Sequence, residues 1–199
     1  MYFSVTNFGI VALIAYMDTI EDQQCIDRLK KGDTASFAFL VDKYKDMAFT
    51  ISLKVTKNRV AAEDAVQESF IKAYLSIQSF KGHSKFSTWL YTIVYRTSLA
   101  IAKEQKLLTV GLNGSSHTNY NPDHSVLQLE KLEFEEQQQY INAAIDRLPK
   151  KEALLVTLYY RNENSIKEIC TITGFSVSNV KIILFRARKK LENDLKFLL

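Results

Sequence analysis

In 199 residues this chain has 6 Gly and 2 Pro, and that scarcity constrains the fold more than any other feature. Hairpins and tight crossovers need left-handed or fixed backbone angles, which Gly and Pro supply most readily. A sheet protein with so few would lack its turns, whereas helices need such residues only near their ends. Apolar residues at 47% and charged residues at 24% are ordinary for a chain that buries a core. The expected fold class is all-α.

Helical punctuation runs through the first half. "TIEDQQCIDRLKKGD" opens with Thr19 three residues before Asp22, an acidic variant of the capping-box spacing, and closes on Gly32. Asp33 or Thr34 can then cap a helix on which Phe37, Leu40, Val41, Tyr44, Met47, Ala48 and Ile51 recur at helical spacing. In "NRVAAEDAVQESFIKAYLSI", Asn58 is a candidate cap and Val66, Phe70, Tyr74 and Ile77 share a face. Leu90, Ile93, Val94, Thr97 and Ile101 make a further apolar stripe. These four helices form an expected first domain over 18–106. "LLTVGLNGSSHTNYNPDHS" then breaks every period and reads as a linker, 107–128. A second domain, 129–199, resumes helicity around Leu127 and restarts at Pro149. The expectation is two small helical domains joined by a flexible linker. Residues 1–17, apolar from Phe8 to Met17, are too short an apolar run to span a bilayer, and no Lys or Arg precedes Arg28 as a signal peptide requires. They read as a non-native extension with Met17 as the start; an ordered arm or a membrane-touching segment are the alternatives.

Charge is distributed in blocks. Residues 18–106 hold 14 Lys/Arg against 11 Asp/Glu, 107–149 hold 2 against 6, and 150–199 hold 10 against 5. Two basic blocks flanking an acidic middle suggest a polyanionic partner, although an excess this small is also that of a solvated surface. Cys25 and Cys170 are far apart and form no CxxC, which fits a reducing compartment rather than a disulfide framework. His117, Asp123 and His124 share a loop without zinc-ligand spacing, so no metal is expected. No nucleophile–base pair, P-loop or cofactor motif is present either, so the chain is expected to be neither an enzyme nor a cofactor binder.

"SIKEICTITGFSVSNVKIILFRARKKL" has the clearest local signature. Ile166, Ile169 and Cys170 face inward on a short helix, Gly174 makes the turn, Phe175 plugs it, and Ser176 or Ser178 caps the next helix. Val180, Leu184 and Ala187 take that helix's inner side. Lys181, Arg186, Arg188, Lys189 and Lys190 supply cations to its other faces and far end. This is a helix-turn-helix suited to major-groove entry with phosphate anchoring. The bland alternative is a basic helix end that merely complements its own dipole.

"SFKGHSKFSTWLYTIVYR", residues 79–96, sets Lys81, His83 and Lys85 between Phe80 and Phe86, just ahead of Trp89. Loops are usually polar because their tips face water, so aromatics bracketing a short basic segment are unusual here. Aromatics commonly pack a helix junction. Phe80 and Trp89 are expected to be mostly core, which leaves His83, Ser84 and Lys85 to face outward.

"EDAVQESFIKAYLSIQSF" followed by "FSTWLYTI" resembles region 2 of the extracytoplasmic-function (ECF) sigma factors of bacterial RNA polymerase, of the sigma-70 family. "LPKKEALLVTLYYRNENSIKEICTITGFSVSNVKIILFRARKKL" resembles their region 4. The likeness covers roughly 20–196, and "Y.N..S..EI" with "RARKKL" resembles a Bacteroidetes-like branch. It implies a non-enzymatic subunit that binds core RNA polymerase, recognises and melts promoter DNA and starts transcription in the cytoplasm. Asp64, Gln67 and Glu68 would dock on the β′ clamp helices, and the β flap would be a further polymerase contact. Lys81, His83, Ser84, Lys85, Trp89, Tyr95 and Arg96 would serve the minus-ten element. Ser176, Ser178, Asn179, Lys181, Ile182, Arg186, Arg188 and Lys189 would serve the minus-thirty-five element. An anti-sigma factor, often membrane-bound in the family, is implied as a partner. Two departures stand out: Tyr95–Arg96 replaces the family's usual Arg-Asn, and the recognition helix reads Ser178, Asn179, Val180, Lys181, Ile182, Ile183 instead of Gly-Thr-Val-Lys-Ser-Arg. The competing expectation is an autonomous, dimeric helix-turn-helix repressor.

Overall fold

The computed structural model describes residues 19–111 and 134–196, and no strand occurs among them. Residues 1–17, the greater part of the expected linker, His117, Asp123, His124 and Leu127 lie outside the described residues. The first half comprises α1 (19–30), α2 (Ala35–Thr56), α3 (Arg59–Ser76) and α4 (Phe86–Gly111). A 3-10 turn over Ile77–Ser79 leads from α3 into the loop before α4. The second half comprises α5 (Phe134–Arg147), α6 (Lys150–Val156), α7 (Ile166–Thr173) and α8 (Val177–Asp194), and α6 widens into a π turn over Thr157–Arg161. No single helix among the described residues is long and apolar enough to cross a membrane.

The sequence punctuation acts where expected, with two refinements. Gly32 adopts φ +98° after α1, in the left-handed region that suits glycine. The Asn58 side chain accepts from the Ala61 N–H at 2.9 Å and starts α3. Of the two candidate caps for α2, Asp33 takes the Ala35 N–H at 3.1 Å, while Thr34 makes no side-chain cap. Asp22 serves tertiary structure: it is buried and accepts from the Tyr44 hydroxyl and, at 2.9 Å, from Lys43 Nζ, which ties α1 to α2.

In the first half α2, α3 and α4 pack pairwise. Ala61, Ala62, Ala65 and Ala73 are fully buried along α3, and their small side chains let the neighbouring backbones approach closely. Leu40, Ala48 and Ile51 of α2 meet Leu90 and Val94 of α4 in the same core. In the second half α6 packs on α8, α7 on α8, and α5 on both α6 and α8. Lys190 of α8 reaches Glu152 of α6 at 2.8 Å.

The halves also touch. α7 lies on α4 and α6 on α2, and one continuous cluster of buried apolar side chains includes residues of both halves, from Ile26 to Ala187. At the α2–α6 seam the Asp146 carboxylate pairs with Lys54, its carbonyl accepts from Lys57 Nζ at 3.3 Å, and Lys150 Nζ donates to the Thr56 carbonyl at 3.4 Å. Burial first, then the like charges of Lys54 and Lys150, hold the Lys57 amine below its ordinary pKa despite Asp146.

Candidate nucleic-acid interface

The loop between the 3-10 turn and α4 rests on an aromatic floor. Phe80 and Phe86 are buried, Trp89 is half-buried, and their ring centroids lie 5.2–5.8 Å apart. Tyr44 of α2 joins them 5.6 Å from Phe86. Tilted and edge-on contacts of this kind favour a fixed arrangement beyond the area they bury. Lys30 at the end of α1 donates to the Phe80 carbonyl at 2.6 Å, and Gln78 donates back to the Lys30 carbonyl at 3.1 Å. Gly82, at φ +72°, turns the chain over this floor. Lys81, His83, Ser84 and Lys85 therefore all project outward and are exposed.

Beside the loop is a cavity of about 300 Å³, walled by Asp22, Gln23 and Ile26 of α1 on one side and by His83, Ser84 and Lys85 on the other, with Phe80 and Phe86 below. That volume is at the small end of ligand-sized cavities. The α1 wall escaped the sequence reading because α1 and the loop are some sixty residues apart. Of the other residues expected here, Arg96 is exposed on α4. Tyr95 is buried, 7% exposed, and burial raises its hydroxyl pKa. Its ring belongs to the core, and the structure does not bring it to the loop surface.

The face of α3 opposite its alanines is exposed and carries Asp64, Gln67 and Glu68. Glu68 pairs with Lys72 at 2.6 Å on the solvent side. Exposed Val60, Ile71 and Leu75 extend the same stripe. The sequence reading named only its polar members, though Ile71 and Leu75 continue the i, i+3, i+4 spacing from Asp64 and Glu68. A mixed acidic and apolar stripe of this kind has the chemistry to suit a basic partner with apolar patches.

The helix-turn-helix is completed by local chemistry. The Ser165 side chain accepts from the Glu168 N–H at 3.2 Å, and Glu168 accepts in return from the Ser165 N–H at 2.8 Å, a full capping box at the start of α7. Gly174 ends α7 at φ +75°, Ser176 caps α8 by accepting from the Asn179 N–H at 3.3 Å, and the two helices bend by 106°, within the range of this motif. Val180, Leu184 and Ala187 are buried, as expected. Ser178, Asn179, Lys181, Ile182, Arg186, Arg188 and Lys189 are exposed along the outer surface. Helical geometry places Ser178, Ile182, Phe185 and Lys189 farthest from the buried side. Phe185, 55% exposed and capped by Lys189 Nζ at 5.1 Å, was missed because an aromatic at helical spacing reads as core.

Among the described residues no group of His, Cys, Asp or Glu is arranged to hold a metal ion. The groups these elements present are outward cations, an apolar centre on α8, and a cavity with an aromatic floor.

Comparison with known proteins agrees with this division. Residues 40–106 match the family described as Sigma-70 region 2, and residues 138–191 match Sigma-70, region 4. The ECF RNA polymerase sigma factor SigW of Bacillus subtilis is 33% identical over 177 residues, covering 86% of this chain and 95% of its own length. The ECF RNA polymerase sigma-E factor of Escherichia coli K12 is 30% identical over 186 residues, covering 90% and 96%. In fold, the chain is similar to the sigma factor RpoE of Bartonella quintana, solved with the anti-sigma factor NepR (TM-score 0.64, 20% identity, 80% of this chain and 96% of that one). It is also similar to CnrH, solved with the cytosolic domain of CnrY (TM-score 0.59, 17% identity, 88% and 97%). The two helical halves, their order and these relatives together make this chain a member of the ECF sigma factors of the sigma-70 family, non-enzymatic factors of transcription initiation.

Proposed function

We propose that this sigma factor works through three surfaces, each assigned to one partner. The acidic and apolar stripe of α3 docks on the clamp helices of the β′ subunit, with Asp64, Gln67 and Glu68 as the polar contacts. The loop and its cavity receive a base flipped from the minus-ten element, with Lys81, His83, Ser84, Lys85 and Arg96 toward the strand and Trp89 closing the aromatic floor. Stacking on such a floor is worth about 1–3 kcal/mol per base, comparable to the cost of unstacking it. The outer face of α8 reads the minus-thirty-five element as duplex: Ser176, Ser178, Asn179, Lys181 and Ile182 lie near its N-terminus, and Arg186, Arg188 and Lys189 toward phosphates. The β flap is the proposed polymerase contact of the second half, and the cytoplasm, where polymerase acts, the proposed compartment. Both fold relatives were solved with protein partners, one of them a named anti-sigma factor, which supports a protein inhibitor for this chain as well.

The observation that supports this reading is that one chain carries both a loop beside a cavity with an aromatic floor and a capped, outward-facing basic helix. An autonomous repressor would need only the second. The test is transcription by purified sigma-free core polymerase on pooled promoter fragments, with and without the protein. Protein-dependent transcripts with defined starts are expected. No transcripts from a core that responds to another sigma factor would sink the reading. In the same assay Asp64→Lys with Glu68→Lys reverses the charge of α3 and should weaken core binding at least tenfold, read by co-elution.

A further inference from the structure

The cavity beside the loop has two unlike walls. His83, Ser84 and Lys85 line the side formed by the loop, whereas Asp22 and Gln23 line the side formed by α1. The region 2 match begins at residue 40, so the α1 wall lies outside the residues that carry the family likeness. Asp22 is committed to packing, since its two oxygens accept from Lys43 and from the Tyr44 hydroxyl. Gln23, the next residue, is exposed.

A neighbour fixes the orientation of the Gln23 amide. Its Nε2 donates to the Asp27 carboxylate at 2.8 Å, one turn further along α1. An ionised carboxylate accepts and does not donate, so the reversed amide would set oxygen against oxygen. The carbonyl Oε1 is thereby turned toward the loop, where a Cβ built on Gly82 would stand 4.0 Å from it. Gly82 carries no side chain and leaves that approach open.

What such an acceptor can select follows from the bases. Cytosine, adenine and guanine each carry an exocyclic amino group, whereas thymine carries oxygens and a methyl group instead. An amide oxygen accepts from the amino group and repels the thymine oxygens. We infer that Gln23 is a specificity-determining residue of this cavity: its Oε1 accepts from the exocyclic amino group of the captured base, which favours a base that has one over thymine. This rests on the reading of the loop as the receiver of a flipped base. Stacking on the aromatic floor, which every base offers, carries most of the affinity. One neutral hydrogen bond changes binding about fivefold, so Gln23 biases the choice without making it absolute.

The test uses the full chain on core polymerase and a promoter fragment from the transcribed pool. Template-strand mismatches hold its minus-ten element open, so that pairing strength plays no part. Each base of the non-template strand is replaced in turn by an abasic site and by its amino-deleted analogue. The analogues are 2-pyrimidinone for cytosine, purine for adenine and hypoxanthine for guanine. At the captured position the abasic site should weaken binding about tenfold or more. The amino-deleted analogue there should cost about fivefold with the unmodified chain and less than about twofold with Gln23→Ala. That substitution is on an exposed face and should leave the melting temperature unchanged. Thymine at the same position should bind no better than the analogue. An equal loss in both chains, no loss in either, or a preference for thymine would overturn the inference and leave the capture of a base intact. No abasic effect at any position, or no promoter in the pool, would remove the capture itself and the inference with it.

Discussion

The loop before α4 and the helix-turn-helix do comparable work with opposite construction. The helix-turn-helix is local: Ser165 and Glu168 cap α7, Gly174 turns the chain, and Ser176 caps α8, all within twelve residues. The loop is assembled from afar. Its carbonyl at Phe80 is held by Lys30, fifty residues earlier, its floor includes Tyr44 of α2, and its cavity wall is α1. A locally coded site tolerates change elsewhere in the molecule, whereas an assembled site inherits every weakness of the core beneath it.

That contrast is testable. Phe86→Ala removes a buried ring from the loop's floor and should cost about 3–5 kcal/mol by denaturant unfolding. Hydrogen exchange should show the loss first around α1, α2 and the loop, with α7 and α8 protected longer. Equal loss in both halves would mean that the shared core makes them one cooperative unit. Gly174→Ala tests the local site. A Cβ there meets nothing within 4 Å, so the cost is backbone alone, about 1–2 kcal/mol for the left-handed conformation, read as a lower melting temperature.

Thr88 sharpens the comparison from the other side. Among the described residues its Oγ1 is the one buried side-chain polar atom without a hydrogen-bond partner, and it lies in the first turn of α4 beside the aromatic floor. Thr88→Val removes that unsatisfied hydroxyl at equal shape and should stabilise the chain by about 1 kcal/mol. A loss of stability instead would show that the hydroxyl has a partner in solution.

The smallest effect is in pH. Burial works to raise the Glu168 carboxyl, but the Ser165 hydrogen bonds and the Lys85 ammonium outweigh it and hold the group below its ordinary value of 4.5. The folded state therefore binds fewer protons than the unfolded state in that range. The contribution of Glu168 is complete above the ordinary value and is lost as pH falls through the depressed one. The effect should be about 1 kcal/mol or less at a partly exposed group, and it should vanish in Glu168→Gln when unfolding is followed between pH 6 and pH 3.

Much of the molecule was legible in the sequence, for a common reason. Helix faces follow from apolar spacing, and ends follow from caps and glycines, so Asn58, Gly32 and Gly174 could be assigned from neighbours within four residues, while the cap of α8 stayed open between Ser176 and Ser178 until the structure chose Ser176. The outward position of His83, Ser84 and Lys85 was legible because the flanking aromatics had to turn inward. Phe185 was not, because periodicity cannot tell an aromatic that packs from one that is presented. Tyr95 was placed with the DNA-facing set by the family resemblance, and only packing shows its ring in the core.

By itself the sequence determined an all-helical chain in two halves, the helix-turn-helix and its cations, and the acidic stripe of α3, because each is set by contacts of short range along the chain. Tertiary structure alone decided that Asp22 ties α1 to α2, that α1 walls a cavity beside the loop, and that Glu168 of one half closes on Lys85 of the other. Those pairings join residues twenty-two, some sixty and eighty-three positions apart. No periodicity reaches so far; only the packing of the helices brings such groups within the 3 Å that their chemistry requires.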